Sequence, residues 1–197
     1  MPTITRRASP MSAEDRREMI ADAVIPLLIE HGTAITSRQI AEGVGVAEGT
    51  IFRAFGDKDS VIKAAIDKYL DPEPLRKGLA AIDATLPLED KVRRMLQLIR
   101  VRFSGVVRLM AAIGATERPA PPQDRRLEYA AIIARALQPD IGRLNCPPER
   151  VAHLLRLVAF ATSVPPLNQS HPFDEDELVQ FVLYGVAGAP ADGRPAP

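Results

Sequence analysis

Gly43, Gly45 and Gly49 stand close together between apolar residues in the stretch from Thr36 to Asp59, TSRQIAEGVGVAEGTIFRAFGDKD. Clustered glycines serve chemistry by letting backbone amides cradle a phosphate, and serve geometry by turning the chain tightly between two helices. Around them lie groups suited to holding anions and hydrogen-bonding partners: Thr36, Ser37, Arg38 and Gln39 before the glycines, and Glu48, Thr50, Arg53 and Lys58 among or after them. A dinucleotide fingerprint needs Gly-x-Gly-x-x-Gly directly after a strand and opening a longer helix. Here the spacing differs and a capped helix precedes the glycines, so the phosphate cradle is rejected and the turn is retained.

Bond-making chemistry finds no such constellation. His31, His153 and His171 are far apart and follow no ligand spacing, so no metal site is expected. Cys146, in NCPPER, is the single cysteine, which excludes a disulfide framework and reads as a loop or half-buried thiol. The acids from Asp174 to Glu177 suit a helix N-terminus better than a catalytic pair. No nucleophile, base and orienting group occur together, so no catalytic residue and no cofactor are assigned and the chain is not read as an enzyme.

The elements that must carry the glycine stretch are helical. Ser12 and Asp15 mark a start, and Ile20, Ala23, Val24, Leu27 and Leu28 recur at helical spacing up to His31, where Gly32 stops the run. Pro26 inside this helix has no functional account. Thr36 and Gln39 form a capping box opening a short helix with Ile40, Ala41 and Val44 inward. Gly45 supplies a left-handed turn, and a second short helix from about Glu48 turns Ile51 and Phe55 the same way. Asp57 caps a further helix to about Leu70, and the DPEP at Asp71 to Pro74 interrupts the helical chain. Two short helices joined by a glycine turn and carried on a longer one make a helix-turn-helix, whose second helix enters the major groove of DNA. Its outward positions are Thr36, Ser37, Arg38 and Gln39 at one helix start, and Ala47, Glu48, Gly49, Thr50, Arg53 and Ala54 around the other.

Beyond Pro74 the periodicity stays helical. Val92 to Phe103 forms one amphipathic run, Val106 to Ile113 continues after Gly105, ERPAPPQD from Glu117 is a loop, and Leu127 to Leu137 is a helix closed by Pro139. The runs Val151 to Val164 and Leu178 to Ala187 are apolar around much of their circumference, which implies burial on two faces, the second against a partner subunit. No strand pattern and no repeat occur.

The 197 residues, 46% hydrophobic, suffice for one ordinary domain or two small ones. No apolar stretch is long enough to span a membrane and the first residues lack a secretory core, so a soluble cytoplasmic protein is expected. Lys and Arg number 25 against 25 Asp and Glu. A DNA binder of this neutral composition must rely on a few placed cations and backbone amides, with its acids turned away.

At residues 36 to 66 the pattern becomes specific: TSRQIAEGVGVAEGTIFRAFGDKDSVIKAAI resembles the DNA-binding segment of the tetracycline-repressor (TetR) family of bacterial regulators. The shared positions are Thr36, Ile40, Ala41, Gly45, Val46, Thr50, Ile51, Phe55 and Lys58, and the resemblance covers roughly residues 12–70. Two positions depart. Ala47 stands where the family usually has a serine cap, a loss of ~1 kcal/mol in a typical helix. Phe52 replaces the usual tyrosine, whose hydroxyl commonly reaches a DNA phosphate in relatives, so that contact is missing, and Phe52 is either a DNA-facing residue or only a packing one.

The resemblance implies an all-α chain: an arm over 1–11, a three-helix DNA-binding domain over 12–70 with its helix-turn-helix at 36–55, a helical effector-binding and dimerisation domain over 71–188, and a disordered tail over 189–197. It implies that Thr36, Ser37, Thr50 and Lys58 hold phosphates, that Gln39, Gly49 and Arg53 lie near base edges or backbone, and that Arg38 serves either role. Arg6 and Arg7 are either minor-groove contacts or a solvated tail. An unidentified small-molecule effector is implied, with Met95, Ile99, Phe103, Met110 and Tyr129, residues that are first of all core, as candidate pocket residues. The implied function is that of a repressor binding a palindromic double-stranded operator as a homodimer, with about 34 to 36 Å between its recognition helices. The dimer seam would lie on Pro148 to Val164 and Asp174 to Ala187. Two alternatives stay open: a DNA-binding regulator controlled only by protein partners, and a helical enzyme or ligand carrier with a lookalike motif.

Overall fold

A computed structural model describes residues 12–115, 123–168 and 172–186, and every regular element among them is helical. The chain divides into two units, one holding the residues up to Asp71 together with Leu109–Thr116, the other holding the rest. The expected arm at 1–11 with Arg6 and Arg7, most of the expected loop from Glu117, His171, Ala187 and the tail at 189–197 lie outside the described residues.

In the first unit, α1 (Ala13–His31) begins where the Ser12 hydroxyl accepts the amide of Asp15 at 3.0 Å. It ends at Gly32, whose amide donates to the Leu28 carbonyl. Pro26 sits on the exposed side, and the helix continues through it despite the missing N–H. The buried stripe of α1, Ile20, Ala21, Val24, Ile25 and Leu28, packs with Val61, Ile62 and Ala65 of α4 (Lys58–Tyr69). Lys68 of α4 fastens the pair by reaching Asp22 at 2.9 Å and Glu18 at 3.3 Å. Burial works against its charge, but these two partners outweigh that and hold its pKa above the ordinary value.

Between α1 and α4 lie α2 (Ser37–Val44) and α3 (Glu48–Phe55). The start of α2 is a complete capping box: the Thr36 hydroxyl accepts the Gln39 amide at 3.2 Å, and the Gln39 side chain accepts the Thr36 amide at 2.8 Å. The start of α3 has no such help. Ala47 occupies the cap position with extended backbone and offers no side-chain acceptor, leaving only its carbonyl to take the Thr50 amide at 2.8 Å.

The second unit has its core between α6 (Leu88–Ala112), α7 (Gln123–Leu137), α8 (Pro148–Ser163) and α10 (Glu175–Val186). Val92, Met95, Leu96 and Ile99 of α6 meet Ile133 and Leu137 of α7, Val151, Leu155 and Ala159 of α8, and Val179 and Val182 of α10. A short α9 (Pro165–Asn168) follows α8. The DPEP stretch interrupts the chain for only a few residues. With Pro72 at the cap position and a proline in the first turn, it opens a helix, α5 (Glu73–Ala80), whose Leu79 is buried. Nor does Gly105 divide α6, and beyond Leu137 the chain continues through a 3-10 turn, Gln138–Arg143, that contains Pro139.

Within this core sits a buried charge. Lys91 is 1% exposed, and its ammonium donates to the carbonyls of Ala84 at 2.9 Å and Ala136 at 3.2 Å and pairs with Asp140 of the 3-10 turn. One side chain thereby ties the start of α6 to the end of α7 and to the turn beyond it. Removing the carboxylate strands an ammonium in the core, so Asp140→Ala is expected to lower the unfolding free energy by about 3 kcal/mol in urea. Lys91→Met, which leaves Asp140 with Arg143 at 3.6 Å, should cost less; the reverse order would remove this account of the pair. At the other weak point, Ala47→Ser supplies the missing cap of α3 and should stabilise the protein by about 1 kcal/mol, and an unchanged or lower melting temperature would contradict it.

Candidate nucleic-acid interface

The first unit builds its candidate interface from the inside outward. Ile40, Ala41 and Ile51 are buried at 0%, 4% and 0% exposure, and Val44, Val46, Ala54 and Phe55 pack half-buried around them. Two glycines make this geometry possible. Gly45 turns left-handed at φ 76° with its amide bonded to the Ala41 and Glu42 carbonyls, a conformation a side chain rarely adopts. Gly43 lets α2 approach α1, since a Cβ there would stand 2.6 Å from the Leu27 side chain.

With these residues turned in, the sequence-derived candidates point out. Thr36, Arg38, Gln39, Ala47, Glu48, Gly49, Phe52 and Arg53 are exposed, and Ser37, Thr50 and Lys58 are half-buried. Gln39 and Thr36 are committed to each other through the capping box. Arg38 pairs with Glu42 at 2.8 Å, and that hydrogen bond and charge, with a smaller pull from Glu48, raise its pKa above the ordinary value. Both partners are largely in water, so the pair is weak and a phosphate can compete for the guanidinium. The Lys58 ammonium reaches the Thr33 carbonyl at 3.3 Å, which holds it beside the turn before α2. Arg53 has no hydrogen-bond or ion-pair partner among the described residues. Asp57 caps α4 by accepting the Ser60 amide at 2.7 Å, and this bond holds its carboxyl below the usual carboxylate range.

A contact the sequence reading missed lies behind this surface: the Arg17 guanidinium of α1 stands 5.0 Å from the centre of the Phe55 ring. Only the i, i+4 spacing of Ile51 and Phe55 was visible in the sequence, and it says nothing of a cation from another helix.

The candidate pocket residues fall in different places. Met95 and Ile99 are wholly inside the second core, while Phe103 and Tyr129 are half-buried against it. The Phe103 ring meets Phe160 edge-on at 5.7 Å, and the Tyr129 hydroxyl donates to the Pro72 carbonyl at 3.2 Å. Met110, near the end of α6, belongs instead with the first unit. The acids near the start of α10 act as caps: the Asp174 carboxylate accepts the Glu177 amide at 2.8 Å and the Glu177 carboxylate accepts the Asp174 amide at 2.9 Å. Among the described residues, no group of three or more His, Cys, Asp or Glu is placed to hold a metal ion, and no helix is long and apolar enough to cross a membrane.

Comparison with known proteins agrees with this architecture. Over 67 residues the chain is 39% identical to the HTH-type transcriptional repressor Rv3405c of Mycobacterium tuberculosis, a match covering 34% of this chain and 36% of that protein. An HTH-type transcriptional regulator of Mycobacterium bovis, Mb3439c, matches to the same extent. The match thus spans about a third of the length of these curated relatives. Two solved structures share the fold: the TetR transcriptional regulator SCO0520 of Streptomyces coelicolor, with TM-score 0.57 and 20% identity over 87% of this chain and 98% of that one, and SmeT in complex with triclosan, with TM-score 0.54 and 18% identity over 92% and 98%. Residues 20–65, which hold most of α1, all of α2 and α3 and most of α4, match the family described as bacterial regulatory proteins, tetR family.

Proposed function

We propose that the chain is a sequence-specific DNA-binding transcriptional repressor, working as a homodimer on a palindromic operator and released from it by a small molecule. The observation that carries the reading is the α2–α3 pair, rigid through its buried inner face and presenting Thr36, Ser37, Arg38, Gln39, Gly49, Thr50, Arg53 and Lys58 on its outer side. An α-helix fits the major groove, and donors from Thr, Ser and Lys suit phosphate oxygens flanking it. Arg53, without a hydrogen-bond or ion-pair partner among the described residues, is available to a base edge.

Homodimerisation is supported by apolar side chains left in water on the helices the sequence reading assigned to a seam. Leu157 and Phe160 of α8 are 54% and 49% exposed, and Phe181 of α10 is 61% exposed. A second copy related by a two-fold axis would cover them and place two α3 helices on one duplex. Effector control is supported by Phe103 and Tyr129, aromatic rings only half-buried beside the buried Met95 and Ile99. SmeT, of the same fold, binds triclosan, a precedent for a small organic ligand in such a protein. A ligand preferring a conformation that disfavours DNA must weaken operator binding by the same coupling free energy, and α4, which leads out of the first unit, is the natural lever.

Fluorescence anisotropy tests the reading with duplexes enriched by the wild-type protein from a randomised library. Affinity should fall steeply with salt, and Lys58→Ala should flatten the slope of log affinity against log salt by about one unit without relaxing sequence preference. Arg53→Ala should cost about 1 to 3 kcal/mol and relax preference at the base pair it faces. Enrichment of no sequence, or identical behaviour of both variants and the wild type, would remove the reading.

A further inference from the structure

Gly43 and Gly45 each have a reason inside the molecule, a close approach in one case and a left-handed turn in the other. Gly49 has neither. Its φ is not positive, it lies exposed in the first turn of α3, and a Cβ built on it would meet nothing within 4 Å. Alanine would fit there and make a better helix. The chain therefore carries a glycine that weakens α3 for no internal gain.

The next exposed residue on that face is the opposite kind of anomaly. Phe52 is 44% exposed, on a helix whose inward side is already filled by Ile51 and Phe55. Residues three and four apart are neighbours on a helix surface, so Gly49 lies beside both Phe52 and Arg53, and Glu48 lies beside Phe52. A bare backbone, an aromatic ring left in water, a cation without a partner among the described residues and a carboxylate thus share one patch. The carboxylate repels phosphates, and an apolar ring gains nothing from them, so this patch suits the floor of a groove better than its rim. The major groove presents one apolar group, the 5-methyl of thymine.

Building on the DNA-binding reading above, we propose that α3 reads thymine through its methyl group: Phe52 covers the methyl, and the absent side chain at Gly49 lets the helix descend far enough to reach it. Arg53, one turn beyond Gly49, then faces a neighbouring base edge.

The experiment uses the full chain and the duplexes it enriches from a randomised library, each prepared with thymine or, position by position, with deoxyuridine, which pairs identically but lacks the methyl. Wild-type affinity should fall about fourfold for each methyl removed at the contacted position, the factor expected for burying one such group. Phe52→Ala should bind the thymine duplex more weakly and no longer distinguish it from the deoxyuridine duplex. Gly49→Ala should raise the melting temperature while lowering affinity at least tenfold, a pairing of opposite signs that a merely structural glycine would not produce. Equal wild-type binding to both duplexes, a half-site without thymine, discrimination that survives Phe52→Ala, or a Gly49→Ala variant with full affinity overturns the proposal while leaving DNA binding standing. Failure to enrich any duplex removes the DNA-binding reading itself, and this inference with it.

Discussion

At Gly45 the backbone turns left-handed, its amide returns to the carbonyls of Ala41 and Glu42, and the next amide, of Val46, bonds to Ala41 at 3.0 Å. This compact turn fixes where α3 begins relative to α2. The burial of Ile40, Ala41 and Ile51 then removes the remaining freedom, because sliding either helix would expose one of them or open a void. Every outward side chain of the candidate interface inherits its direction from that constraint. The capping box at Thr36 acts in the same sense, holding the first turn of α2 so that Ser37 and Arg38 leave the surface at a defined angle.

Such preorganisation matters more here than in a strongly basic protein. With 25 cations balanced by 25 acids, the chain carries no net charge to draw DNA non-specifically to its surface. Several acids of the first unit are occupied within it: Glu42 holds Arg38, Asp57 caps α4, Glu18 and Asp22 hold Lys68, and Asp67 holds Lys63. These local pairings reduce the net repulsion that a phosphate backbone would meet there. What remains is a small set of donors in fixed positions, which favours selectivity over raw affinity. Ala47 makes α3 the least reinforced element of the site, a weakness consistent with a helix shaped for an outside partner more than for its own stability.

The features legible in the sequence were those whose physics is local. The capping box spans Thr36 to Gln39, the left-handed turn needs a glycine at one position, and the buried faces repeat at three and four residues, so neighbours along the chain suffice to infer them. Where partners come from distant segments, legibility ended. Lys91 reads as an ordinary solvent-facing lysine until the fold brings Asp140 and the carbonyl of Ala136 to it. Arg17 reads as surface charge until Phe55 arrives beneath it. At Asp71 to Pro74 the prolines were read as breakers, whereas the same residues at the first turn of a helix are starters, and only the buried Leu79 decides between the two. The helical spacing that joins Met95 and Ile99 to Met110 says nothing of the boundary that places Met110 with the first unit.

Amide hydrogen exchange of the full chain, with and without a saturating enriched duplex, probes the surface on which the account rests. Slowed exchange should concentrate in residues 36–58, strongest in the first turn of α3, with the already buried amides of Ile40 and Ile51 changing least. Protection confined to residues beyond 71, or no protection at saturation, would contradict the claim that the α2–α3 pair is the face that meets DNA.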